Sequence, residues 1–197
     1  GKSAGRDGVR TIQTMGMDLG EGGGAGQLIS LALESIGRSF HGIQPRTALY
    51  TELVTFHGFD EAKAFFTAIA RDRIHPDEST APLIFDLCAS GDTEAIKVVS
   101  QVAKQHALDI YGVVKQLNFT SGSIPVVRAG GLHTAGNAVF DHTFETELKS
   151  LVPQAAISVL DVAPVYGAVI HAAQRYFSIT PDSFIKNLNN AAQKVTI

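Results

Sequence analysis

The fold is decided by a short apolar segment that runs into a pair of glycines, Val126-Val127-Arg128-Ala129-Gly130-Gly131-Leu132-His133-Thr134-Ala135-Gly136-Asn137. Its first residues are mostly apolar and β-branched, which is typical of a strand buried in a sheet with helices on its faces. Because Gly130 and Gly131 carry no Cβ atom, a flat ring can lie against their backbone, and a helix that starts nearby favours polar or anionic groups. The segment therefore suits a nucleotide, although an isolated glycine pair more often makes only a tight turn.

Strand and helix patterns alternate around this segment, which predicts an α/β layer. Alternating or β-branched residues predict strands at 9–15, 124–129 and 156–160. Apolar residues at helical spacing predict a helix after Leu28, a long helix capped by Asp92 that runs to about Leu117, and helices at 140–151 and 166–176. Between 46 and 91 the spacing predicts several short helices, one of them capped by Asp60.

A second unusual stretch, residues 15–26, is rich in glycine and reads Met15-Gly16-Met17-Asp18-Leu19-Gly20-Glu21-Gly22-Gly23-Gly24-Ala25-Gly26. From Leu19 to Gly26 the glycine content is too high for a helix or strand, so we predict a loop. Its backbone N–H groups could surround hydroxyls or a phosphate. We interpret Asp18 as a turn or cap residue and not as a catalytic base or magnesium ligand.

Composition excludes several classes of protein. The chain has 197 residues, enough for one large domain with its own core, and a net charge of -3 argues against a broad nucleic-acid surface. The single cysteine, Cys88, excludes an intrachain disulfide. The seven histidines are scattered without zinc spacing, and His41, His57, His75 and His106 look structural. The sequence shows no membrane span or signal peptide, and we expect a cytoplasmic protein.

The segment at 126–137 resembles the adenosine motif of the actin, sugar kinase and Hsp70 superfamily, in which a hydrophobic strand is followed by Gly-Gly and an Asn. Gly130, Gly131 and Asn137 match that motif. Further along, the run at 164–169 is similar to the Pro-x-x-Gly-Ala that opens the last core helix in N-acetylglucosamine kinases and BadF/BadG ATPases. The agreement in order and spacing covers roughly the last third of the domain.

The glycine-rich stretch is similar to the Gly-Trp-Gly…Leu-Gly-Asp-Glu-Gly-Ser segment of N-acetylglucosamine kinases. On that match Glu21 stands where the family has an Asp that hydrogen-bonds sugar hydroxyls, and Met15 stands where it has Trp. The resemblance implies ATP and Mg²⁺ as cofactors and a sugar as substrate. It implies sugar contacts from Met15, Gly16, Glu21, Gly22 and Gly23, and ATP contacts from Gly130, Gly131, Leu132 and Asn137.

The resemblance also implies a ribonuclease H-like, actin-like ATPase fold, of which this chain would be the C-terminal lobe. Residues 1–45 would form a strand, the glycine loop and a helix, residues 46–91 a helical insertion, and residues 92–197 the long helix with the adenosine-binding α/β part. The catalytic base and the first phosphate motif belong to the other lobe, which we expect to lie outside this chain, so the chain alone should be inactive. The full-length relatives usually form homodimers.

Three alternatives remain at this point. An activator ATPase of the BadF/BadG type would place an iron–sulfur cluster between subunits with two cysteines from each, and this chain has only Cys88. A non-catalytic sugar or nucleotide sensor would require a DNA-binding segment. A plain interaction domain would have lost nucleotide binding altogether. His133 lies inside the adenosine motif, but a solvent-facing turn is the simpler interpretation for it.

Overall fold

The structure is a computed structural model that describes residues 2–5, 8–11, 15–119, 122–160 and 162–177, with positions 184, 186–188 and 190. These residues form a mixed α/β protein that is mostly helical. They divide into two compact units, the first comprising 1–124 and 135–156 and the second comprising 125–134 and 157–197. The predicted α/β class is confirmed, and the ribonuclease H-like topology stays a prediction.

In chain order the strands and α-helices are β1 (Lys2–Gly5), β2 (Gly8–Thr11), α1 (Gly24–Phe40), α2 (Ala48–Phe56), α3 (Ala62–Ala70), α4 (Ala81–Ala89), α5 (Thr93–Gln116), β3 (Ile124–Arg128), α6 (Gly131–Thr134), α7 (Ala138–Leu151), β4 (Ala155–Val159) and α8 (Pro164–Phe177). Within the described ranges, no helix is both long enough and apolar enough to cross a membrane.

The first two strands form an antiparallel hairpin in which Lys2 lies opposite Thr11. The predicted strand at 9–15 is confirmed for 9–11, its part at 12–14 lies outside the described residues, and Met15 belongs to the following loop. The polar sequence of β1 lacks the apolar alternation by which strands are identified, so its pairing with β2 is not predictable from pattern alone.

Helix α1 begins earlier than its glycine content predicts. The predicted loop extends to Gly26, whereas the helix already starts at Gly24, after a short 3-10 helix at Met17–Leu19. The helix buries Leu28, Ala32 and Ile36 almost completely. This burial against α5 outweighs the poor helix propensity of its first turn, since most helical stability in proteins comes from tertiary packing.

The short helices predicted between 46 and 91 are present as α2, α3 and α4. They pack against α1, α5 and one another inside the first unit, with Leu49, Leu53 and Phe65 fully buried. One capping prediction is wrong: the residue before α3 is Glu61, whose extended backbone (φ -125°, ψ 127°) makes no side-chain cap. A helix capped by Asp60 would begin at Glu61, one residue before the observed start at Ala62.

The long helix α5 is the central element of the first unit. It begins immediately after Asp92, as predicted, and α7 packs along it. Three α7 side chains that face the core, Phe140, Phe144 and Leu148, are completely buried. Gly20 and Gly24 contact α5 through Gln105 and His106.

The strands β3 and β4 form a two-stranded parallel sheet. At one end Ile124 N donates to Gln154 O (3.0 Å), and at the other Leu160 N donates to Arg128 O (2.8 Å). Along β3, Ile124, Val126 and Arg128 are buried and alternate with exposed residues. The predicted strand that leads into the glycine pair is therefore confirmed.

Candidate functional site

The glycine loop, residues 15–23, is closed on itself by the Glu21 carboxylate. One carboxylate oxygen, Oε2, accepts hydrogen bonds from the backbone N–H groups of Met15 (2.7 Å) and Gly16 (3.0 Å). Between them the chain turns through the 3-10 helix, with Leu19 N donating to Gly16 O (3.1 Å). Two of the N–H groups that the sequence assigns to a ligand are thus taken by Glu21 itself.

The other oxygen of Glu21, Oε1, has no hydrogen-bond partner among the described residues. Glu21 is half-buried, while Met15, whose backbone N–H it binds, is 61% exposed. The loop therefore carries both an acceptor oxygen without a partner among the described residues and an accessible apolar residue. A sugar offers hydroxyl donors and an apolar ring face, which suits that pair of groups.

The end of the glycine loop lies directly on α5. Gln105 Nε2 donates to Gly20 O (3.3 Å), and a Cβ atom at Gly22 would overlap the Gln105 side chain. Only glycine permits this close approach, because every other residue would have to displace the glutamine. Gly23 N in turn donates to Gln27 Oε1 (2.9 Å) on the first turn of α1.

A histidine on α5 holds the start of α1. Gly24 N, in the first turn of that helix, donates to Nε2 of His106 (3.2 Å), and the Phe140 ring packs edge-on against the imidazole (5.7 Å between ring centroids, 88°). Burial lowers the pKa of His106 below 6.5, and the nearby Asp109 carboxylate partly offsets this by raising it. The ring is therefore neutral at pH 7.

In the second unit, Gly130 follows β3 with a φ of 89°, which strongly favours glycine. Its carbonyl accepts from His133 N (3.0 Å) and Thr134 N (3.1 Å), which turns the chain into the short helix α6. A Cβ atom added at Gly130 or Gly131 would meet no atom within 4 Å. The backbone at the glycine pair is thus open on the side where a side chain would otherwise stand.

Of the two residues that follow the glycine pair, Leu132 is buried and His133 is half-buried. Leu132 is only 8% exposed, so the predicted ATP contact at this position would have to come from its backbone. His133 accepts a hydrogen bond at Nδ1 from Nε of the buried Arg128 (3.1 Å). The histidine is half-buried, so it is partly exposed to solvent as predicted, and it is also bonded to β3.

Asn137 has a structural role in the first unit that the motif does not predict. It is the N-cap of α7, where its Oδ1 accepts from Phe140 N (3.0 Å), and its Nδ2 donates to Phe85 O (3.2 Å) on α4. Asn137 is only 8% exposed. These bonds fix the start of α7 against α4, and the predicted ATP contact of Asn137 stays a prediction.

The structure thus joins the predicted sugar-site residues in one loop, and it keeps Gly130, Gly131 and Leu132 together at the end of β3. The supports of the loop, Gln105 and His106, were not predicted as site residues. They lie more than 80 positions from the glycines that they contact, and no local pattern marks them. Within the part of the chain that the structure describes, no three His, Cys, Asp or Glu side chains cluster as metal ligands do.

Comparison of the chain with protein-family models gave no match, and comparison with curated protein sequences gave none either.

Proposed function

We propose that this chain is the nucleotide-binding lobe of an ATP-dependent sugar kinase similar to the N-acetylglucosamine kinases. In the full-length protein it would take part in transferring the γ-phosphate of ATP to a hydroxyl of an amino sugar or related sugar. The observation that carries this proposal is the open backbone at Gly130 and Gly131, directly after the buried strand β3. The family resemblance of the surrounding sequence supports the same function.

The nucleotide part of the proposal assigns adenosine to the glycine pair. A purine is flat and apolar on its faces, so it packs well against backbone that has no Cβ atom. Gly130 and Gly131 leave this space open, and the buried Leu132 and Arg128 hold the turn from inside the unit. Mg²⁺ would arrive with the phosphates, its usual partners in kinases.

The sugar part of the proposal assigns a hydroxyl to Oε1 of Glu21. Its other oxygen is fixed by Met15 N and Gly16 N, so the carboxylate is oriented before any ligand binds. Such preorganisation reduces the entropy lost on binding. The exposed Met15 would contact the apolar face of the ring, in the position where the resembling kinases have Trp.

Phosphoryl transfer requires chiefly that the phosphate and the acceptor hydroxyl be held in line while charge is neutralised. ATP supplies the transferable group, and the residues of this chain would hold the adenosine and orient the sugar. The general base would come from the other lobe, so the proposal places no catalytic residue in this chain. It also includes a cytoplasmic location and a homodimer of the full-length protein.

The activator-type ATPase finds less support in the structure. Cys88 is 2% exposed inside the first unit, and its thiol faces Asn137 Oδ1 at 3.8 Å. Burial raises the pKa of the Cys88 thiol, although the Asn137 contact partly opposes this. A ligand of a cluster held between subunits must be a thiolate that reaches the subunit surface, so this buried cysteine is poorly suited to that chemistry.

The nucleotide assignment is tested by replacing Gly131 with Val in the full-length protein. The backbone at Gly131 tolerates a side chain and the space beside it is open, so the fold should be unaffected while the added methyl groups fill the purine position. We expect the Kd for ATP, measured by calorimetry, to rise at least about tenfold, a loss of about 1.4 kcal/mol.

The matched control is Gly112→Val on α5, where an added Cβ also meets no atom within 4 Å. This variant should bind ATP as the unmodified protein does. An unchanged Kd in Gly131→Val, with both variants folded, would contradict the placement of the purine.

A further inference from the structure

The contact between the glycine loop and α5 depends on two adjacent side chains. Gln105 donates to the carbonyl of Gly20, while His106 accepts from the N–H of Gly24, so α5 binds both the loop and the first residue of α1 that follows it. Asp109, one turn further along α5, accepts from Gln105 Nε2 (2.9 Å) and so orients the amide. This arrangement gives the loop a defined position on a rigid helix.

The bond to Gly24 requires an unprotonated Nε2 on His106. In the neutral ring Nε2 is the acceptor when Nδ1 carries the proton, whereas in the imidazolium both nitrogens are donors. A proton on Nε2 would face the N–H of Gly24 at the distance of the present bond, 3.2 Å. Two donors would then oppose each other, and the contact would be lost.

The position of Gly24 adds a second effect. Gly24 is the first residue of α1, a helix of 17 residues, so its N–H belongs to the positive end of the helix dipole. A positive charge on His106 would be repelled by that end. Protonation therefore both removes the hydrogen bond and opposes the approach of α1.

Among the described residues, three helices present groups to the imidazole. Helix α1 presents the backbone N–H of Gly24, α7 presents the ring of Phe140, and α5 presents the carboxylate of Asp109, which favours the charged form. Burial acts more strongly in the opposite sense and lowers the pKa below 6.5. The contact is therefore intact at neutral pH and is lost as the pH falls through the lowered pKa of the folded protein.

We propose that Gln105 and His106 are positioning residues for the glycine loop, and that protonation of His106 releases Gly24, where the loop joins α1, from α5. The contact between His106 and Gly24 does not depend on what the loop binds. Its effect on sugar binding rests on the proposed function, in which Glu21 and Met15 of the loop contact the sugar.

The test uses full-length protein labelled with ¹⁵N-glycine and ¹⁵N-histidine. At pH 7.5 the ¹⁵N chemical shifts of the His106 ring should show that Nδ1 is protonated and Nε2 is not. The protection of the Gly24 amide, corrected for intrinsic exchange, should fall about fivefold at pH values below the His106 titration, as expected for the loss of one hydrogen bond. A protonated Nε2 at pH 7.5 would overturn the proposal without any variant.

His106→Gln separates the charge from the contact, because the glutamine oxygen accepts a hydrogen bond and does not titrate. In this variant the Gly24 amide should stay protected across the same pH range. The exposed His142 on α7 supplies the control, and His142→Gln should keep the original pH dependence. An equal pH dependence in His106→Gln and the unmodified protein would show that another group controls the loop.

The functional consequence is measured separately as the KM for the sugar. It should rise as the pH falls through the His106 titration, and it should lose this dependence in His106→Gln while kcat at neutral pH is retained. If the Gly24 amide and the His106 ring titrate as predicted but the protein phosphorylates no sugar, the proposed function is contradicted. The pH-sensitive contact between His106 and Gly24 would still be supported.

Discussion

At the scale of single residues, Asp92 makes hydrogen bonds at the starts of two helices, although its position in the sequence predicts only the cap of α5. Its carboxylate accepts from the N–H groups of Glu94 (3.0 Å) and Ala95 (2.9 Å), and also from Leu49 N (2.9 Å) and Thr47 Oγ1 (3.0 Å) at the start of α2. Burial alone would raise the pKa of Asp92, but these hydrogen bonds outweigh it and hold the pKa below 3.8. One side chain thus caps two helices.

Replacing Asp92 with Ala should therefore lower the free energy of unfolding by about 2–3 kcal/mol, since one cap and the partners of a second helix start are lost together. Urea unfolding of the protein measures this change. Asp86→Ala, at an exposed position on α4, is the control and should cost less than about 0.5 kcal/mol. A loss at Asp92 no larger than at Asp86 would show that the shared cap contributes nothing.

The residue scale also shows what the sequence could not predict. Asp92 precedes an apolar-periodic run, and that pattern identifies it as a cap. Asp92 also binds the N–H of Leu49, 43 positions away, and His106 accepts from the N–H of Gly24, 82 positions away. Contacts at such separations depend on the folded arrangement, and a single sequence carries no local signal for them.

At the scale of elements, the pairing of α5 with α7 is the main packing interaction of the first unit. Phe144 is completely buried and its ring is parallel to that of Phe140, with the centroids 6.3 Å apart (4°). Phe140 in turn packs against His106, so the same helix pair orients the support of the glycine loop. A core residue, Phe140, therefore contacts the histidine that binds Gly24.

Phe144→Ala should destabilise the protein by about 3–5 kcal/mol, because it removes a buried ring and leaves a cavity between the two helices. Thermal or urea unfolding checks this, with Thr146→Ala on the exposed face of α7 as the reference. If both substitutions had the same small effect, Phe144 would not be part of a packed core.

Elements were predicted well wherever apolar residues recur at helical spacing, as in α5 and α7, because that spacing is the direct result of burying one face. The prediction was wrong at the start of α1, where tertiary burial overrides the propensity of Gly24 and Gly26. It also placed the cap of α3 one residue too early, since an Asp near a helix start is a signal without an exact register.

At the scale of the whole molecule, composition and alternating patterns predict the α/β class, and the structure confirms it. The sequence also selects the backbone after β3 as the nucleotide position, and the structure shows open space at both glycines there. It further selects the loop around Glu21, which the structure shows as one hydrogen-bonded turn lying on α5. We propose that the first feature binds adenosine and the second a sugar.

The most direct test of that proposal is a crystal structure of the full-length protein with ADP and Mg²⁺. We predict that the adenine lies flat against the backbone of Gly130 and Gly131, with no reorganisation of β3 or of the turn into α6. An adenine bound anywhere else in the protein would contradict the assignment, and with it the claim that this chain is the nucleotide-binding lobe of a sugar kinase.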